Sequence, residues 1–184
     1  MLRNLGLGVA RFDFPYKRPG ADGKRRALPP DRMPVLIEAV GTAAHRAQAE
    51  LKPDFLLLAG HSMGGRAMSM AVAEGLLAPK GPACPGLLLF SYPWHPPKKP
   101  GQLRVSHLAG LGVPALALSG TRDPFCDRGR LAEVFRELPR DFEVRFLEGA
   151  DHGWAVARKS GGTGAEVFAE AGAACRQWVR RIVR

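Results

Sequence analysis

Long apolar runs are missing from this chain. No stretch reaches the roughly 18 residues of a membrane-spanning helix, so a membrane is not among its expected partners. The first residues, MLRNLGLGVARFDF, are basic and mildly apolar. They have no long apolar centre and no small-residue cleavage site, and do not read as a secretory signal. Cysteine is scarce: Cys84, Cys126 and Cys175 are odd in number and far apart. They make neither a C-x-x-C site nor a disulfide framework, which points to a reducing, cytoplasmic setting. Histidines and cysteines lack metal-ligand spacing, so no metal or other cofactor is expected. Acidic residues are outnumbered, leaving a net charge of +10. That excess is spread over residues 17–32, residues 98–104 and the last helix, and no nucleic-acid motif accompanies it. It reads as a solvated basic surface and argues against nucleic acid as a partner. Repeats and composition breaks are absent as well, so the 184 residues read as one domain, 1–184.

What is present is an alternation of short strands and helices. Residues 8–14 (GVARFDF) alternate and end at Pro15, the pattern of a strand. A basic, Gly/Pro-rich loop follows. Asp31 stands where it can cap a helix over about 32–50, with Leu36, Ile37, Val40 and Ala44 at helical spacing. The run 55–59 (FLLLA) predicts a strand, and 63–77 a helix. Further strands are expected at 87–90, 115–119 and 142–147, with a helix over 128–138. The last helix opens on Thr163-x-x-Glu166, a capping box, and its stripe Phe168, Ala171, Cys175, Trp178 and Ile182 is expected to face the core. Most strands are short and wholly apolar. That implies an α/β fold: a predominantly parallel sheet of about five strands with helices on both faces.

Chemistry concentrates where those strands end, the edge at which such folds bind ligands. Gly60-His61-Ser62-Met63-Gly64 joins the apolar run to the helix. In a G-x-S-x-G elbow, the serine occupies a strained strand-to-helix corner and the glycines permit close backbone approach. A serine hydroxyl needs a base to take its proton, and a third group to orient that base. Asp123 follows one later strand and His152 the next, which gives the order Ser, acid, His. Asp127 is the alternative acid. The backbone N–H of Met63, at the helix start, supplies one oxyanion donor. Tyr92, Trp94 and His95 follow the third strand and Trp154 follows His152, so with His61 they are candidates to line a pocket for a small acyl group. His45 and His107 are assigned no role.

The motifs GHSMGG, GTRDPF and GADHGW, in this order, resemble the α/β-hydrolase superfamily. Residues 11–16 (RFDFPY), 62–66 (SMGGR), 91–96 (SYPWHP) and the Asp151-His152 pair look closest to a small dienelactone-hydrolase-like family. That family includes the hydrolase-like domain of an NSL-complex subunit and its testis-expressed relative. The resemblance implies Ser62, Asp123 and His152 as a triad but no known substrate; the ordered set itself leads to the expectation of a serine hydrolase acting on a small-molecule ester, thioester or lactone through an acyl-enzyme. One departure weighs against it. The superfamily has several strands before the equivalent of residues 8–14, and the last of these ends in a loop that gives the second oxyanion donor. This chain has no such strand or loop. The missing strand belongs between residues 8–14 and the serine strand. Its absence implies an N-terminally truncated hydrolase, a compacted sheet, or a partner chain or second copy covering the exposed edge; truncation is the expectation. It also motivates an alternative function, a catalytically weak or inactive interaction module.

Overall fold

The computed structural model describes residues 6–20, 22–24, 28–77, 84–157 and 162–183. Parts of the basic loop and Arg184 lie outside the described residues. Four parallel strands form one sheet: β1 (Leu58–His61), β2 (Leu87–Phe90), β3 (Ala115–Gly120) and β4 (Phe142–Leu147), in the order β1-β2-β3-β4. Among the described residues, four α-helices accompany them: α1 (Met33–Leu51), α2 (Met63–Ala73), α3 (Ala132–Glu137) and α4 (Gly164–Ile182).

The alternation along β2 and β3 explains why both faces are covered. Leu87, Leu89, Ala115 and Ala117 join a core with Leu36, Ile37, Val40 and Ala44 of α1 and Ala67 and Ala71 of α2. Leu88, Leu116 and Leu118 point the other way, into a second core with Ala171, Cys175 and Trp178 of α4. Successive strand side chains alternate faces, so an all-apolar strand requires cover on both sides. α4 begins with the expected capping box: Glu166 N donates to Thr163 Oγ1 and Thr163 N donates to Glu166 Oε2. Phe168 departs from the expected stripe. It is half exposed, and its ring meets the edge of Trp154 instead.

Residues 8–14 do not form the expected first strand, so among the described residues the sheet has four strands rather than about five. Residues 8–14 are extended but form no ladder, and most are exposed. A strand needs a hydrogen-bonding neighbour, and among the described residues β1 pairs with β2 alone. Local contacts hold the segment instead. Tyr16 N donates to Asp31 Oδ2 at 2.9 Å, and Phe14 contacts the rings of Phe12 and Tyr16. Asp31 is thus spent on this tie, and α1 starts from Arg32 with no side-chain cap. The helices at 63–77 and 128–138 are also shorter than expected, ending at Ala73 and covering only Ala132–Glu137.

Candidate active site

Ser62 sits between β1 and α2 with φ 52° and ψ −120°, a conformation that L-residues rarely adopt. Its amide donates to the Phe90 carbonyl at 2.8 Å, which ties the corner to β2. A Cβ added at Gly60 would lie 2.5 Å from Gly65 N, and one added at Gly65 would lie 2.9 Å from the Gly60 carbonyl oxygen. Both positions therefore require glycine. Gly64, the second glycine of the G-x-S-x-G pattern, is under less constraint: its added Cβ would meet only the Phe14 ring, at 3.7 Å. The close approach belongs to the next residue along.

The turns after β3 and β4 are laced together. Arg122 N donates to the Ala150 carbonyl at 2.9 Å, and Gly149 N donates to Thr121 Oγ1 at 2.9 Å. Asp151 shapes the second turn, its Oδ1 accepting from Gly153 N at 2.8 Å and Ala155 N at 2.9 Å. This short polar side chain bonds its own backbone two and four residues on, the chemistry of an Asx turn. The sequence carried that signal, an Asp opening the D-H-G run.

These turns bring three side chains into line. His152 Nδ1 lies 2.9 Å from Asp123 Oδ2, and His152 Nε2 lies 2.8 Å from Ser62 Oγ. With the proton on Nδ1, the ring donates to Asp123 and accepts from the serine hydroxyl. The Asp123 side chain is fully buried, and its other oxygen accepts from Phe125 N at 2.9 Å. The Phe125 ring lies edge-on to His152, with centroids 4.8 Å apart. His61 reaches the same loop, its Nε2–H donating to the His152 carbonyl at 2.9 Å. Asp127, the other acid considered, turns away: its Oδ1 accepts from Gly129 N and Arg130 N. Met63 is the first residue of α2, so its N–H has no intrahelical acceptor.

The aromatic candidates separate. Tyr92 and Trp94 are wholly buried, with Trp94 packed edge-on against Phe135 and Tyr92. They are core side chains and line no opening. Trp154 is also buried, in the second core against Phe90 and Phe168. His95 is nearly buried, with its ring 6.3 Å from Phe125. The start of the proline-rich loop, residues 91–95, thus folds inward while 97–103 stay exposed, and the loop is pinned by Trp94 N to the Phe125 carbonyl and Arg104 N to the Trp94 carbonyl. His45, on α1, contacts the Gly41 carbonyl through Nδ1. Burial raises the Cys126 thiol to about 12 and the Cys175 thiol to about 11, so neither is a thiolate near neutral pH. Among the described residues, no group of three His, Cys, Asp or Glu side chains is placed to hold a metal, and no helix is long and apolar enough to cross a membrane.

The sequence profile of the alpha/beta hydrolase domain matches residues 1–180. The chain belongs to that family. Solved structures of similar fold include the esterase domain of a Rhodothermus marinus protein, at 19% identity and TM-score 0.58, covering 80% of this chain and 69% of that one. A protein of unknown function from Agrobacterium tumefaciens matches at 16% identity and TM-score 0.58, with 89% of this chain and 66% of that one covered. An alpha-beta serine hydrolase homologue from Coxiella burnetii matches at 16% identity and TM-score 0.54, with 72% and 57% covered. The chain therefore spans about two thirds or less of these chains' lengths.

Proposed function

We propose that this protein is a serine hydrolase that cleaves a small ester, thioester or lactone through an acyl-enzyme. The observation that carries the reading is the continuous line Ser62–His152–Asp123, with both links at hydrogen-bond length. Ser62 Oγ attacks the carbonyl carbon while His152 Nε2 takes its proton. Asp123 holds the imidazole in the required tautomer and stabilises the imidazolium. As the tetrahedral intermediate collapses, the bond to the leaving group breaks and His152 returns the proton to it. Water then attacks the acyl-serine, with His152 again as base, and releases the acid.

Met63 N–H faces no helical acceptor and is free to stabilise the oxyanion. Losing one of two oxyanion donors costs on the order of 10²–10³ in rate. The stretches 11–16 and 91–96 support the narrower likeness to dienelactone hydrolases.

The reading is tested with a fluorophosphonate probe, which labels a serine activated by its base. Labelling in the wild type and none in Ser62→Ala is the expected result. A folded wild type that fails to label overturns it.

A further inference from the structure

A polar cluster beside the triad takes no part in the proton relay. Arg66 lies four residues after Ser62 on α2, and its amide donates to the Ser62 carbonyl at 3.2 Å. Four residues of helix rise about 6 Å. Helical side chains lean toward the helix N-terminus, so Arg66 leans toward the nucleophile. Arg104, on the loop after β2, is tied to the same region through the Tyr92 hydroxyl.

The groups around the two arginines fix their backbones. Ser69 Oγ donates to the Arg66 carbonyl at 3.0 Å, and the Tyr92 hydroxyl donates to the Arg104 carbonyl at 2.7 Å. His107 Nε2 bridges the two hydroxyls, 2.9 Å from Ser69 Oγ and 3.4 Å from the Tyr92 oxygen. With both hydroxyl protons committed, Nε2–H is the donor to them. Burial first, and the Arg66 charge second, pull His107 down to about 4. Burial and the same charge also lower Arg104. The two guanidinium groups therefore feel each other.

Neither has an acid to answer it. Among the described residues, neither Arg66 nor Arg104 enters an ion pair, whereas Arg46, Arg130, Arg145 and Arg181 each do. Arg66 Nε is buried with no protein partner. Arg66, with a buried orphan donor, stands about one helical turn from the nucleophile, and the Ser69–His107–Tyr92 chain of hydrogen bonds ties its carbonyl to that of Arg104, a second cation. An oxyanion relieves both costs at once, and guanidinium forks suit it geometrically.

We propose that Arg66 and Arg104 form a cationic subsite beside Ser62 for an oxyanion, carboxylate or phosphate, carried by the substrate. This rests on the hydrolase reading, so the experiment has one arm that needs no turnover. In that arm, folded Ser62→Ala protein is titrated with succinate and with inorganic phosphate by calorimetry. Saturable binding of at least one anion is expected, weakened about tenfold or more by adding Arg66→Gln or Arg104→Gln. The tighter anion identifies the group. Binding of neither anion, or binding undiminished in both variants, overturns the subsite. In the second arm, kcat/KM is compared for 4-nitrophenyl acetate and mono-4-nitrophenyl succinate. The preference for the charged ester is expected to fall about tenfold in each arginine variant. A ratio unchanged in both variants overturns the proposal. Absence of turnover on either ester, together with no fluorophosphonate labelling, counts against the hydrolase reading and leaves the titration to decide the subsite.

Discussion

A single methyl group placed at Gly120 is expected to disable the site from a distance. Gly120 ends β3, three residues before Asp123. An ideal Cβ there would overlap the Ala150 carbonyl oxygen, and would fall 2.6 Å from the Ala150 carbonyl carbon and 2.7 Å from the Asp151 oxygen. All three are backbone atoms, so no rotamer change relieves the overlap. The turn must retreat by roughly 1 Å to restore ordinary contact. His152 rides on that turn, and the line to Ser62 Oγ depends on its place. A shift of about 1 Å costs on the order of 10² in rate. Overpacking of this kind also costs about 1–3 kcal/mol, or roughly 2–12 °C in thermal midpoint for a chain of this size. The assay is the fluorophosphonate labelling rate of Gly120→Ala beside its unfolding temperature. Gly101→Ala is the control, because an added Cβ there meets nothing within 4 Å. Wild-type labelling and an unchanged midpoint in Gly120→Ala would refute the reasoning.

Three further outcomes are expected. Ser62→Gly removes the strain of a side chain at φ 52°, so it should be more stable than Ser62→Ala by about 1 kcal/mol, read by denaturant unfolding. Trp94→Ala empties a fully buried site between Tyr92, Phe135 and Phe142, and should cost about 3–5 kcal/mol in the same assay. His107 is lowered from 6.5 to about 4 in the folded protein. Below 6.5 the unfolded chain binds a proton that the folded chain refuses, so this contribution is whole above 6.5 and lost as pH falls toward 4. The drop in thermal midpoint between pH 7 and pH 4.5 should therefore be shallower in His107→Gln than in the wild type.

The residues that sequence made legible are those whose signal is local. The runs at 87–90 and 142–147 fall on β2 and β4 to the residue, the first as an unbroken apolar run and the second as an alternation of apolar and charged residues, both local signals. Thr163 and Glu166 announce their own helix start in four residues. Ser62, Asp123 and His152 were placed by rules of strand order, and the side chains meet as that order requires. Residues 8–14 misled because alternation reports what a strand would bury, not whether another strand lies beside it. Tyr92 and Trp94 misled for a different reason: aromatics just after a strand read as pocket lining, yet here both side chains are packed into the core. The cluster of Ser69, His107 and Tyr92 was illegible because its members are separated by up to 38 residues, and no spacing rule joins them. The one available cue was Arg66, a charge four residues from the nucleophile on the same helix.

Strand order in this sheet is the same as chain order. Each strand's neighbour is the next one to leave the ribosome, and no strand waits for a partner synthesised before its predecessor. Ser62 is anchored as soon as β2 offers the Phe90 carbonyl. His152 arrives only with the turn beyond β4, at the opposite side of the sheet. The serine is thus in place early and activated last. Its reactivity would report the docking of the fourth strand, and a covalent serine probe would act as a clock for the completion of folding.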